Sequence, residues 1–105
     1  MENQKSISEW AISTFGEPEN GFVLMEKLKE ELYELAARIN IYVNDPLRVN
    51  FRGVADEIAD IVIMAYQICN RYGLDLHEVI DQKMAVNRKR KWDIIEPGIG
   101  KHKEE

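Results

Sequence analysis

Apolar residues recur along this chain at intervals of three and four. Leu28, Leu32, Leu35 and Ile39 form one stripe, and Val54, Ile58, Ile61, Ala65, Ile68 and Tyr72 form a second. Such spacing lines up side chains on one face of a helix with 3.6 residues per turn. The pattern breaks at FGEPENG (15–21), at Asn44-Asp45-Pro46, at Gly73 and at EPGIG (96–100). The spacing therefore predicts helices over about 5–14, 22–43, 51–72 and 75–92. Gly73 ends the third, and Asp75 is placed to cap the fourth. No segment shows the alternation of a strand, and no internal repeat stands out. The predicted fold is all-α: a four-helix chain built on a central antiparallel hairpin, because short connections favour antiparallel neighbours. Residues 1–95 read as one helical domain and 96–105 as a mobile C-terminal tail.

Composition adds the question of assembly. A 105-residue chain with 45% hydrophobic and 31% charged residues suits one small globular domain. A domain that short buries only part of its surface. Four amphipathic segments are then expected to complete their bundle by oligomerisation. The lone Cys69 cannot form an internal disulfide, and beside Val62, Ala65 and Ile68 it reads as a buried thiol in a reducing, cytoplasmic setting. The N-terminus lacks an apolar targeting core, and no apolar run is long enough to span a bilayer. A net charge of −5 opposes nucleic-acid binding, although KMAVNRKRK (83–91) is strongly basic.

The acidic residues raise the chemical question. EKLKEELYEL (26–35) and DEIAD (56–60) set carboxylates beside the two apolar stripes. On the helical wheel Glu31 and Glu34 lie roughly 70° and 130° from the centre of their stripe, and Glu57 and Asp60 lie roughly 80° and 140° from theirs. All four are offset in the same rotational sense. In an antiparallel pair, offsets of equal hand fall on the same side of the seam, so the four acids converge along one edge. Converging carboxylates repel unless a positive group sits between them. Oxygen-only ligands suit a hard cation, Mg²⁺ or Mn²⁺. His77 and His102 lie outside the cluster, which disfavours zinc. The plainer reading is two solvated acidic faces with partners on their own helix: Lys27 with Glu31, and Glu34 with Arg38.

The fourth segment changes character along its length. Leu76, Val79 and Ile80 share a face that continues as Lys83, Asn87 and Arg90. A helix overhanging its core would do this, and so would one whose face slides from core into an anionic pocket. A lysine, an orienting amide and a planar guanidinium suit phosphate groups. Arg88, Lys89 and Lys91 read as solvated charges.

EExxE (Glu30, Glu31, Glu34) followed by ExxD (Glu57, Asp60) resembles the MazG-like, all-α nucleotide pyrophosphohydrolases. KxxxNxxR (Lys83, Asn87, Arg90), closed by Trp92, resembles that family's phosphate-binding end. Trp10 with Thr14, Phe15 and Gly16 is similar to a subgroup acting on purine deoxynucleotides. The resemblance implies Mg-dependent hydrolysis of a nucleoside triphosphate between the α- and β-phosphates, giving monophosphate and pyrophosphate. It implies that Glu31, Glu34, Glu57 and Asp60 hold Mg²⁺ (or Mn²⁺), that Glu34 orients or deprotonates the water, and that Glu30 supports the ligands from outside. A homodimer or homotetramer with sites near subunit interfaces is expected. Trp10, Phe15 or Trp92 would stack on the base, or serve as core or interface. A phosphoribosyl-ATP pyrophosphohydrolase shares this architecture, and a non-catalytic helical interaction module would share the stripes without needing four aligned acids.

Overall fold

The computed structural model describes residues 1–48 and 51–103. Its helices are α1 (Gln4–Phe15), α2 (Gly21–Asn44), α3 (Phe51–Arg71) and α4 (Leu76–Lys89), with a 3₁₀ turn at Pro46–Arg48. Each start has a local cause. Asn3 accepts from the Ser6 amide, and Ser6 returns a bond to Asn3, closing a capping box on α1. Asn20 caps α2 through the Phe22 and Val23 amides, and Asp75 caps α4 through the Glu78 amide. The third helix gives way at Gly73, whose φ of +70° suits a residue without a Cβ.

The two long helices pack against each other as the expected hairpin, and α1 lies across α3. The Gln4 side chain pins the start of α1 to the α3–α4 turn. It donates to the Leu74 carbonyl at 2.7 Å and accepts from the Leu76 amide at 2.8 Å. No described helix is long and apolar enough to cross a membrane.

Three features depart from the sequence expectation. The first is a β-hairpin. The fourth helix ends at Lys89 rather than 92, and Trp92–Glu96 (β1) pairs antiparallel with Ile99–His102 (β2). Pro97-Gly98 makes the turn, with Gly98 at φ +88°, and β-branched Ile94, Ile95 and Ile99 favour the extended chain. The Trp92 indole donates to the Asn87 carbonyl at 2.8 Å, which folds the hairpin back on the end of α4.

The second is a rotation of the long helices. On α2 the buried residues are Leu24 and Glu31; on α3 they are Gly53, Glu57, Met64 and Cys69. With half-buried Leu28, Leu35, Ile61 and Ile68, all of these but Cys69, which lies on the other shoulder of α3, mark faces turned roughly 40–60° from the apolar stripes, toward the acids. Leu32, Ile39 and Ile58 are left 44%, 43% and 49% exposed.

The third concerns α4. Leu76, Val79 and Ile80 were expected to join a core, yet no residue of this helix is buried within the chain. The accessible surface of 8476 Å² and radius of gyration of 16.8 Å are correspondingly large. A compact chain of this size would show about 6,100 Å² and about 13 Å.

Candidate active site

The seam between α2 and α3 holds two buried carboxylates. Glu31 and Glu57 are each 6% exposed, and Asp60 joins them from the rim. One ligand oxygen from each of the three lies within 4.8 Å of the others. The hairpin brings them together because both helices roll their acidic positions inward: Glu31 sits within the Leu24–Leu28–Leu35 face, and Glu57 within the Gly53–Ile61–Met64 face.

Each buried carboxylate has one oxygen on a cation and one without a partner. Lys27 Nζ lies 3.3 Å from Glu31 Oε1 and 3.1 Å from Glu30 Oε2. Arg38 Nε donates to Glu57 Oε1 at 3.2 Å. The second oxygens, Glu31 Oε2 and Glu57 Oε2, are buried with no hydrogen bond. Hydrogen bonds to Glu30 and then Glu31 hold the Lys27 ammonium above its ordinary pKa of 10.5. Unsatisfied buried oxygens are costly, and two carboxylates that each carry one, grouped with Asp60, form an oxygen cradle fit for a hard cation.

The sequence-predicted residues separate into two places. Glu31, Glu57 and Asp60 meet. Glu34, one turn along α2, is exposed and stands outside this trio. Glu30 touches the site through Lys27. The Lys27–Glu31 pair forms as expected, but Arg38 reaches across the seam to Glu57 instead of back to Glu34. That cross-helix role was missed; the signal available was that Arg38 shares the azimuth of Lys27 and Glu31, about three and two helical turns on.

Lys83 and Arg90 are exposed on α4, and Arg90 caps the helix C-terminus rather than continuing it. Asn87 is half-buried, its Oδ1 buried and without a partner. Among the described residues, no hydrogen bond or ion pair joins this stripe to the acids. Of the aromatic candidates, Trp10 meets Phe15 edge-on at 5.3 Å, and Trp92 belongs to the hairpin. His77 is bonded to the Tyr66 hydroxyl at 2.9 Å, away from the acids.

Comparison with known proteins assigns the chain to a family. A dATP/dGTP diphosphohydrolase of Salmonella phage PMBT28 is 34% identical over 99 residues, which is 94% of this chain and 30% of that protein. A dATP/dGTP diphosphohydrolase of cyanophage S-2L is 36% identical over 76 residues, covering 72% of this chain and 62% of that protein. The chain thus spans under two thirds of the length of either relative. Among solved structures, the cyanophage S-2L MazG-like pyrophosphohydrolase bound to dGDP and three catalytic Mn²⁺ ions per active site superposes with a TM-score of 0.70 at 30% identity. That match covers 96% of this chain and 92% of the other. The sequence profile of the MazG-like family matches residues 23–103, from the start of α2 through the hairpin. Profile, relatives and fold agree with one another, and the chain belongs to the MazG-like family.

Proposed function

We propose that this chain hydrolyses purine deoxynucleoside triphosphates to the monophosphate and pyrophosphate, using Mg²⁺ or Mn²⁺. One observation carries the reading: Glu31 and Glu57 each bury an oxygen without a hydrogen bond, and the two carboxylates are grouped with that of Asp60. A solvated acidic face would not strip two carboxylates of water and leave half their oxygens bare. The names of the relatives, and the dGDP and Mn²⁺ of the structural neighbour, supply the substrate class and the metal.

In this reading Glu31, Glu57 and Asp60 are the metal ligands, with Glu34 as a further ligand on the exposed rim. A bound divalent cation supplies positive charge to the phosphate oxygens and to the developing charge of phosphoryl transfer. Lys27 and Arg38 fix the two buried carboxylates, each by one oxygen, so that the other points into the cradle. Glu30 holds Lys27 from the solvent side. Glu34 has a free carboxylate at the rim, where it orients and deprotonates the attacking water. Lys83, Asn87 and Arg90 bind the phosphates.

Assembly belongs to the same proposal. The surface excess over a compact chain is about 2,400 Å², whereas a standard interface takes about 800 Å² from each partner. Leu32, Ile39 and Ile58 on the hairpin, with Val79, Ile80 and Met84 on α4, are the apolar surfaces a second copy would cover. A homodimer or homotetramer meets that need.

The test is product analysis. The protein, with Mg²⁺ or Mn²⁺, should release pyrophosphate from dATP and dGTP. In ¹⁸O-water the label should enter the monophosphate. Orthophosphate as the first product, or label only in pyrophosphate, refutes attack at the α-phosphorus.

A further inference from the structure

Two cations touch the seam carboxylates, and their donors are used differently. Lys27 Nζ is shared between two acids, Glu30 at 3.1 Å and Glu31 at 3.3 Å. Arg38 meets one acid through one nitrogen. Its Nε donates to Glu57 Oε1 at 3.2 Å. Its terminal amino groups, Nη1 and Nη2, make no hydrogen bond or ion pair among the described residues. A guanidinium carries five N–H donors in a planar fork, so most of this one is unused. The Arg38 side chain is 41% exposed, whereas the carboxylate it holds is buried. Arg38 therefore stands at the mouth of the seam, with one nitrogen on a proposed metal ligand and two amino groups free. It lies outside the EExxE, ExxD and KxxxNxxR patterns.

We propose that Arg38 is a substrate-binding residue whose terminal amino groups hold the pyrophosphate part of a nucleoside triphosphate, the phosphates beyond the one attacked. The inference rests on the functional reading above, which sets the attacked phosphate at Glu31, Glu57 and Asp60. Charge points to it first. The bond between the α-phosphorus and the bridging oxygen leaves its electron pair on that oxygen, so negative charge grows on the departing pyrophosphate. Cationic donors already in place stabilise such charge. The acids add only negative charge to the seam, and Lys83 and Arg90 make no bond to it among the described residues. Of the two cations that do, Arg38 has the free fork.

Shape and position agree. A planar fork matches phosphate oxygens in pairs, which a lysine does as a point charge only. With Nε on Glu57 and the terminal groups on phosphate, one side chain ties a ligand carboxylate to the substrate. Along α2, Lys27 stands one turn before Glu31, and Arg38 stands two turns after it, roughly 10 Å of rise. The Lys27 end opens on a cavity lined by apolar Ala11, Phe15, Leu24 and Met64. An anionic chain is costly to place against such a wall. It lies instead toward the exposed guanidinium at the other end.

Product binding tests the contact apart from turnover. The full chain is titrated calorimetrically with inorganic pyrophosphate and, separately, with dGMP, both with Mg²⁺. Arg38→Lys keeps a positive charge near Glu57 without the fork. It should weaken pyrophosphate binding about tenfold, the scale of one hydrogen bond to a charged group, and leave dGMP binding as it was. Arg38→Gln can still donate to Glu57 but carries no charge, and it should weaken pyrophosphate binding further. Circular dichroism and melting check that each variant folds. In steady state, inhibition by pyrophosphate should weaken by the same factor in Arg38→Lys while inhibition by dGMP stays. Arg52→Gln removes an exposed cation that pairs with Asp56 near the same end of the hairpin; it should leave pyrophosphate binding unchanged, which separates contact from general attraction. Absence of pyrophosphate binding in wild type, or equal binding in wild type and both Arg38 variants, overturns the assignment. So does a loss of dGMP binding as large as that of pyrophosphate, because Arg38 would then act only by holding Glu57. Pyrophosphate binding that depends on Arg38 in a protein releasing no pyrophosphate from dATP or dGTP would uphold the contact and refute the hydrolase. Pyrophosphate release by a protein whose pyrophosphate affinity is indifferent to Arg38 would do the reverse.

Discussion

Glu57→Gln isolates the charge of one buried ligand while keeping its shape. In the absence of metal two effects oppose. The substitution removes repulsion from Glu31 and Asp60, whose nearest ligand oxygens lie within 4.8 Å; each such pair costs about 1 kcal/mol at the dielectric of water and roughly 3–4 kcal/mol at an effective value near 20. It also loses the attraction of Arg38 at 3.2 Å, through a side chain 41% exposed and therefore well screened. Two repulsions stand against one screened attraction, so the metal-free variant should melt at or above the wild-type temperature. The response to metal should differ. A cation at ten times its dissociation constant stabilises wild type by about 1.4 kcal/mol, roughly 6–11 °C for a domain of this length. Glu57→Gln should reduce that shift to within about 2 °C, since a neutral amide cannot repay the cation for its lost water. Thermal melts against Mg²⁺ and Mn²⁺, titrated to about ten times the dissociation constant, give the comparison. Asp93→Asn, which removes a carboxylate paired with Lys103 on the hairpin, should keep the full shift. Equal shifts in wild type and Glu57→Gln, or none in wild type, would refute the seam as a metal site.

Three other outcomes follow from the same geometry. Arg90→Ala should keep helicity and the metal shift but weaken kcat/KM by about 2–4 kcal/mol, the scale of losing a charged contact to a developing anion; Glu34→Gln should lower kcat in steady-state assays while dGDP still binds. Light scattering should give a dimer or larger at micromolar concentration, and Ile58→Lys on the exposed apolar edge should shift it toward monomer; a wild-type monomer would remove the assembly. Lys27 gives a sign for pH. Its pKa is raised in the folded chain by Glu30 and Glu31, so its stabilising contribution is complete below about pH 10.4 and is lost as pH rises through the raised folded value. Melting of Lys27→Met should therefore fall less steeply than wild type above pH 10.

Much of this was legible in the residues, for physical reasons that also mark where legibility stopped. Asp75 was read correctly as the cap of α4 because capping is local. The hairpin of α2 and α3 followed from two long apolar periods and a short link. The C-terminal β-hairpin was missed because a single Pro-Gly turn flanked by isoleucines is a short signal, and the Lys/Arg run before it continued a helical pattern. Glu31, Glu57 and Asp60 were found together from handedness on the wheel alone. Arg38 was assigned to the wrong partner, since i to i+4 spacing names neighbours on one helix and says nothing of a carboxylate across the seam.

The rotation of the long helices explains why the apolar pattern set Glu31 and Glu57 beside the seam rather than in it. Hydrophobic periodicity locates the face with most to lose in water, and in a chain that folds alone that face points inward. Here the wheel put Glu31 and Glu57 on the shoulder of their stripes, yet they lie in the seam while Leu32, Ile39 and Ile58 face outward. The two facts have one cause. Rolling both helices toward the acids builds the cradle, and the same roll carries the opposite shoulders out of contact. Reversing it would bury the leucine and isoleucines within the chain and return the carboxylates to water, giving a more stable hairpin without a site. The acids cannot hold the seam by themselves, because their attraction to Lys27 and Arg38 is offset by their repulsion of one another and by bare oxygens. In the proposed reading, a cation in the cradle on one edge and an apolar partner on the other favour the rolled arrangement. Metal binding and self-association should then be coupled, each favouring the rotation the other needs, with the coupling reciprocal. Adding Mn²⁺ should tighten the monomer–dimer equilibrium measured by sedimentation. Glu57→Gln should abolish that effect without abolishing the dimer. A dimerisation constant indifferent to Mn²⁺ in wild type would mean that the roll is set by the helices alone.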